Sequence, residues 1–225
     1  MYSTVDIINI FIHSVEIFNI SLLIAVLFSW NRLPSNIKWM AIYCLLIVPF
    51  LIINYTVGYY FEVNNRFLFH IELHIEFLLF SMFFYKTLTN EKLKQSVLYG
   101  VIIFFVCTVV DYLFFESFWL ETPDKLFLIF NTWVILLSLS LFYQIYTEGK
   151  VKQLFKAPLF WIATALFFQN ISSIFINATA NLWSYNENIA LLVYLIESLI
   201  WFIYVLMLLN FFRLLYKQRN ILNEI

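Results

Sequence analysis

Four acidic residues lie inside long apolar stretches of this sequence, where an ionisable group could do specific chemistry. The four acids are Glu16, Glu76, Asp111 and Glu197. Each lies ten positions along the chain from a charged residue near the predicted outer end of its apolar stretch. Ten residues of helix span about 15 Å, half of a hydrocarbon layer of about 30 Å. Acids at that depth commonly serve proton exchange, cation coordination or binding of a cationic ligand. The competing interpretation is that they are neutral and hydrogen-bond to neighbouring helices.

Further polar side chains occupy the same predicted outer half. The first stretch carries Asp6, Asn9, His13 and Glu16 at spacings of three, four and three, which form one helical stripe. The predicted inner half is nearly all apolar. We therefore expect a pocket for a ligand or ion that opens outward and ends near the middle of the bilayer. Its predicted residues are Glu16, Glu76, Asp111, Glu197, His13, Asn54, Gln169 and Asn177.

A His-x-x-x-His pair, His70 and His74, shares one face of the third stretch. With His13 as a third ligand, the pair could bind zinc or another divalent metal. The alternative is that these histidines hydrogen-bond between helices. Glu72 and Glu76 share a different face, roughly 200° away. Either this helix is central and polar on both sides, or one pair faces the headgroup region.

The elements that must hold these residues are long and apolar. Hydrophobic residues make up 63% of the 225 positions and charged residues 12%, whereas about a quarter of a soluble domain is charged. Both cysteines lie in apolar stretches, which disfavours a disulfide framework. The sequence predicts an all-α bundle of seven transmembrane helices in a single domain, 1–225, with spans at about 7–29, 39–60, 67–85, 96–116, 126–146, 158–182 and 189–212.

Cationic residues alternate along the chain. Eleven of the thirteen Lys and Arg residues fall in four short patches, and the other two, Arg66 and Lys125, lie in alternate gaps. This is the pattern of the positive-inside rule, and it predicts an external N-terminus and a cytoplasmic C-terminus. The lipid bilayer is then the main partner. No patch is large enough to favour nucleic-acid binding.

Two segments resemble a known family. His74–Lys86 reads HIEFLLFSMFFYK, and Pro158–Ile162 reads PLFWI with Phe168, Ser172 and Ser173 after it. They are similar to motifs of a family of seven-helix integral membrane proteins, common in Bacteroidota, that has no assigned activity. The resemblance implies a multi-pass protein of the bacterial inner membrane with Glu16 and Glu76 as recurring acids; Asn54 stands where an acid is commoner. A retinal protein is excluded, because 189–212 contains no lysine for a Schiff base.

Three functions fit these patterns. We favour a non-enzymatic module that senses or binds a ligand or ion. Because the predicted connections are short, it would act with a cytoplasmic or membrane signalling partner. The second is a cation- or proton-coupled transporter, although the sequence shows no internal repeat and few polar groups in the predicted inner half. The third is an intramembrane hydrolase in which Glu76 activates water on a metal held by His13, His70 and His74.

Overall fold

The computed structural model describes residues 18–61, 64–115, 118, 122–148, 154–183 and 187–223. All regular secondary structure in these residues is helical, which confirms the predicted all-α fold. The helices are α1 (described over Phe18–Arg32, its last turn 3-10), α2 (Lys38–Tyr55, followed by a π-helical turn at Thr56–Tyr60), α3 (Arg66–Thr87), α4 (Glu91–Phe114), α5 (Asp124–Thr147), α6 (Pro158–Trp183) and α7 (Glu187–Asn223).

Six of these helices, α2 to α7, are long and apolar enough to cross a membrane. They correspond to the last six predicted spans and suggest a membrane protein. The described part of α1 is a shorter apolar helix, and the rest of the first predicted span, 7–17, lies outside the described residues.

Local chemistry explains several helix ends. The Asn90 side chain accepts hydrogen bonds from the backbone N–H groups of Lys92 at 2.9 Å and Leu93 at 3.4 Å, so it caps the start of α4. Pro158 occupies the first position of α6, where the missing N–H costs nothing. Pro49 lies inside α2 without ending it, as membrane helices tolerate.

The end of α7 differs from the sequence prediction. The last span was expected to end near residue 212, but the helix continues to Asn223. Hydropathy falls after Phe212, where Arg213 and Lys217 appear, yet nothing in that stretch breaks a helix. The helix therefore continues beyond the predicted end of the span.

The chain divides into two compact units. The first contains Met1–Arg32 and Leu141–Ile225, and the second contains Leu33–Ser140. In the first, α6 and α7 pack along each other, and Phe18 of α1 meets Phe202 edge-on with ring centroids 4.8 Å apart. The indole N–H of Trp201 donates to Asn19 Oδ1 at 3.1 Å, and the Arg32 guanidinium lies 4.3 Å from the centre of the Tyr216 ring.

In the second unit, α3 packs against both α2 and α4. Phe77 of α3 stacks on Phe104 of α4 with centroids 3.8 Å apart, and Phe80 of α3 meets Tyr43 of α2 at 4.7 Å. All four rings are buried. Aromatic packing thus makes α3 the central helix of these three.

Gly100 of α4 leaves room for the Trp133 side chain of α5. A Cβ atom added at Gly100 would overlap the six-membered part of the Trp133 ring. The Trp133 indole nitrogen is buried without a hydrogen-bond partner among the described residues, so packing rather than hydrogen bonding determines where this ring lies.

We expect Gly100→Ala to destabilise the protein. Overpacking against Trp133 should cost about 1–3 kcal/mol, and the better helix propensity of alanine recovers at most about 1 kcal/mol. Thermal unfolding in detergent measures the change. Val106→Leu, which adds a methylene at an exposed position of α4, should leave the Tm unchanged. An unchanged or higher Tm for Gly100→Ala would show that the ring moves aside freely.

Candidate functional site

The third helix is polar on two faces, as one of the two sequence alternatives predicted. His70 and His74 lie against α4, whereas Glu72 and Glu76 lie against α2. The two pairs therefore belong to separate interhelical contacts. We call them the histidine face (His70, His74, Thr108 and Tyr112) and the acidic face (Tyr43, Asn54, Glu72 and Glu76).

On the histidine face, each ring bonds to a hydroxyl group of α4. His70 Nδ1 lies 2.9 Å from the Tyr112 hydroxyl, and His74 Nε2 lies 3.1 Å from Thr108 Oγ1. His74 Nδ1 lies 2.6 Å from the backbone oxygen of His70. A carbonyl oxygen only accepts, so Nδ1 of His74 must carry a proton. The single proton of the Thr108 hydroxyl is shared between His74 Nε2 and the backbone oxygen of Phe104, which lies 3.0 Å from Thr108 Oγ1.

This arrangement bears on the predicted metal site. Both ring nitrogens of His74 are engaged by protein groups, which leaves no lone pair for a metal ion unless these bonds break. Within the part of the chain that the structure describes, no three His, Cys, Asp or Glu side chains could hold a metal ion together. His13, the predicted third ligand, lies outside those residues. The geometry instead matches the alternative of hydrogen bonding between helices.

On the acidic face, neutral groups of α2 approach the two carboxyl groups. The Tyr43 hydroxyl lies within hydrogen-bonding reach of Glu76, and the Asn54 side chain within reach of Glu72. Glu72 and Glu76 are one helical turn apart and close enough to interact electrostatically. Both are partly buried, and Asn54 Oδ1 is buried with no hydrogen-bond partner among the described residues.

A small cavity lies between α2 and α3 at these acids. Its volume is about 10 Å³, about the space that one water molecule requires. Tyr43, Glu72 and Glu76 line it together with apolar side chains of both helices, and its described lining contains no Lys or Arg.

The π-helical turn after α2 positions Asn54. The Asn65 amide, just before α3, donates to the backbone oxygen of Asn54 at 3.2 Å. A Cβ on Gly58 would lie 2.9 Å from the Asn65 side-chain nitrogen, so glycine permits this close approach. Turns of this type often occur at functional sites, because the extra residue redirects nearby side chains.

Asp111 belongs to a different contact from the acidic face. The pairs His70–Tyr112 and His74–Thr108 set the register of α3 and α4, so Asp111 is level with residue 71. Glu76 is five residues further, about 7.5 Å along the helix. Asp111 lies in the last turn of α4, and its Oδ1 is 3.8 Å from the Lys125 ammonium at the start of α5. Asp111 therefore has a cationic group within ion-pair distance.

The remaining predicted residues do not form one described cluster. Glu16 and His13 lie outside the described residues. Glu197, Gln169 and Asn177 belong to the other compact unit, where Glu197 and Asn177 are exposed. Gln169 is half-buried, and its Oε1 has no hydrogen-bond partner among the described residues. The meeting of four acids stays a prediction.

Sequence reasoning did not assign Tyr43, Thr108 or Tyr112 to a site. The i, i+4 spacing of Glu72 and Glu76 was visible and could have indicated a paired acidic site. The hydroxyl partners could not be found this way, because tyrosine and threonine are common in apolar helices and their neighbours depend on helix packing.

No protein-family model matches this chain, and neither curated proteins nor solved structures gave a significant match. The resemblance to the Bacteroidota family therefore stays a prediction.

We expect Tyr112→Phe to destabilise the protein by about 0.6–1.7 kcal/mol, the range measured for hydrogen bonds between membrane helices. The variant removes the hydroxyl that meets His70 Nδ1 and keeps the ring. Unfolding in mixed detergent micelles measures the loss. Tyr99→Phe, on an exposed part of α4, is the matched control. Equal stabilities of the two variants would contradict the importance of this contact.

Proposed function

We propose that this protein is a non-enzymatic, ion-sensing module of the bacterial inner membrane that acts with a signalling partner. The observation that carries the proposal is the pair of carboxyl groups on the acidic face, which meets the neutral groups of Tyr43 and Asn54 and no described cation. Such a pair needs a positive ligand to balance it.

The need follows from electrostatics. Two like charges one helical turn apart repel each other, and the repulsion grows as the local dielectric constant falls. The pair avoids this cost when it takes up a proton or binds a small cation. Carboxylate, amide and phenol oxygens are hard ligands, which suit hard cations better than soft ones. A cavity for about one water molecule suits an ion rather than a larger ligand.

Helix α3 provides a route from the ion to the rest of the unit. Its acidic face contacts α2 and its histidine face contacts α4, so a small shift of α3 changes the hydrogen bonds on both sides. An ion that binds one arrangement of these helices better than another shifts the population toward it. This differential affinity is the minimum that a sensor requires.

A partner could contact the end of α7. The helix continues to Asn223, eleven residues or about 16 Å beyond the predicted end of the span. Tyr216 and Lys217 are exposed on this extension, and Arg32 of α1 lies over the Tyr216 ring. A movement of α1 relative to α7 would therefore change the exposed surface of this extension, which we place in the cytoplasm.

Proton or cation binding should raise the Tm of the wild-type protein in detergent. A ligand that binds only the folded state stabilises it by about 2.7 kcal/mol at a hundred times its Kd. For a proton, the Tm then rises as the pH falls; for Na⁺, K⁺ or Ca²⁺, it rises with the added salt relative to choline chloride at equal ionic strength. The double variant Glu72→Gln with Glu76→Gln should lose both responses.

Glu197→Gln is the control, because it neutralises an acid of the other unit at an exposed position of its helix. It should keep the wild-type response. If the double variant responds like the wild type, or if Glu197→Gln alone removes the response, the acidic face is not the ion site.

The orientation of the chain can be tested at the two ends of α3. Asn64 and Thr89 are both exposed, and we place Asn64 outside and Thr89 in the cytoplasm. In a background with Cys44→Ala and Cys107→Ala, an impermeant thiol reagent applied to intact cells should label Asn64→Cys and spare Thr89→Cys. Permeabilised cells should show labelling of both. The reverse pattern would overturn the proposed topology.

A further inference from the structure

A groove of about 580 Å³ runs between α6 and α7 in the first compact unit. Its α7 wall is formed by Ile203, Leu206, Met207, Asn210 and Arg213. Phe155 and Trp161 form the wall at the start of α6. The volume falls in the range of about 300–1,000 Å³ that is usual for small-molecule sites.

The groove is apolar along its length and cationic at one end. Its α7 residues recur every three or four positions, so they form one stripe along the helix. Ten residues separate Ile203 from Arg213, which is about 15 Å along the axis. Asn210 and Arg213 lie together at the end where α6 begins, and the rest of the stripe is aliphatic. This layout matches a molecule with a charged head and a hydrocarbon chain.

The aromatic wall is held in place by a hydrogen bond. The Trp161 indole N–H donates to the backbone oxygen of Phe155 at 2.9 Å, and the two rings pack with centroids 6.2 Å apart. Tryptophan prefers the level of the lipid headgroups. Arg213 and Lys156 at this end are both exposed, so an anionic group is complementary in charge.

We infer that the α6–α7 groove binds an anionic phospholipid. The Arg213 guanidinium meets the phosphate, and one acyl chain lies along Leu206, Met207 and Ile203. Basic pockets between helices on the cytoplasmic side are a known class of site for anionic headgroups. The inference uses the membrane location in the proposed function but does not depend on the ion site.

Native mass spectrometry of the detergent-solubilised protein, titrated with dioleoyl phosphatidylglycerol or dioleoyl phosphatidylcholine, tests the inference. We expect tighter binding of phosphatidylglycerol and about a fivefold loss of its affinity in Arg213→Gln, which corresponds to about 1 kcal/mol for one cation near a membrane surface. Arg213→Lys should retain most of the affinity. Leu206→Trp, which fills the groove without changing the charge, should weaken both lipids.

Lys86→Gln is the control, because it removes one cation of the other unit at an exposed position near the end of α3, which we place in the cytoplasm. This variant should bind both lipids as tightly as the wild-type protein does. Equal affinities for the two lipids, or equal losses in Lys86→Gln and Arg213→Gln, would overturn the inference. Inorganic phosphate that displaces bound phosphatidylglycerol at equal concentration would also overturn it, because the acyl chain would then contribute nothing. Thermal unfolding of each variant confirms that it is folded.

Discussion

Polar side chains within apolar helices must find partners on neighbouring helices, and this constraint governs α3 more than any other described helix. Four ionisable groups lie within seven of its residues. An unpartnered polar group costs several kcal/mol in hydrocarbon, so α3 needs a helix with hydrogen-bonding groups on each side. α2 supplies Tyr43 and Asn54, and α4 supplies Thr108 and Tyr112. This requirement adds to the aromatic packing that places α3 between α2 and α4.

Hydropathy and helical geometry were sufficient to predict much of the fold. Six predicted spans match helices of membrane-spanning length, because the apolar stretches are long and their boundaries carry cations, Pro158 or the Asn90 cap. The division of α3 into two faces followed from 100° per residue alone. Helix α7 continues beyond the predicted span, because a helix does not have to stop where its apolar stretch ends.

The partners within the site could not be predicted, because they depend on which helices adjoin and in what register. The ion pair between Asp111 in the last turn of α4 and Lys125 at the start of α5 could not be found by counting along one helix at a time. Depth counted along separate helices assumes that they begin at one level. Tyr43 offered no sequence pattern at all, since its importance arises only from its position opposite Glu76.

The two faces of α3 differ in whether their hydrogen bonds are complete. Both nitrogens of His74 are occupied by protein groups, so that histidine stabilises packing without further ligand. On the acidic face, two carboxyl groups share a small cavity with a phenol, and a nearby amide oxygen remains unpartnered among the described residues. Tyr43 and Asn54 donate hydrogen bonds but carry no positive charge. The proposed ion site is therefore the face whose acidic groups meet only neutral partners among the described residues.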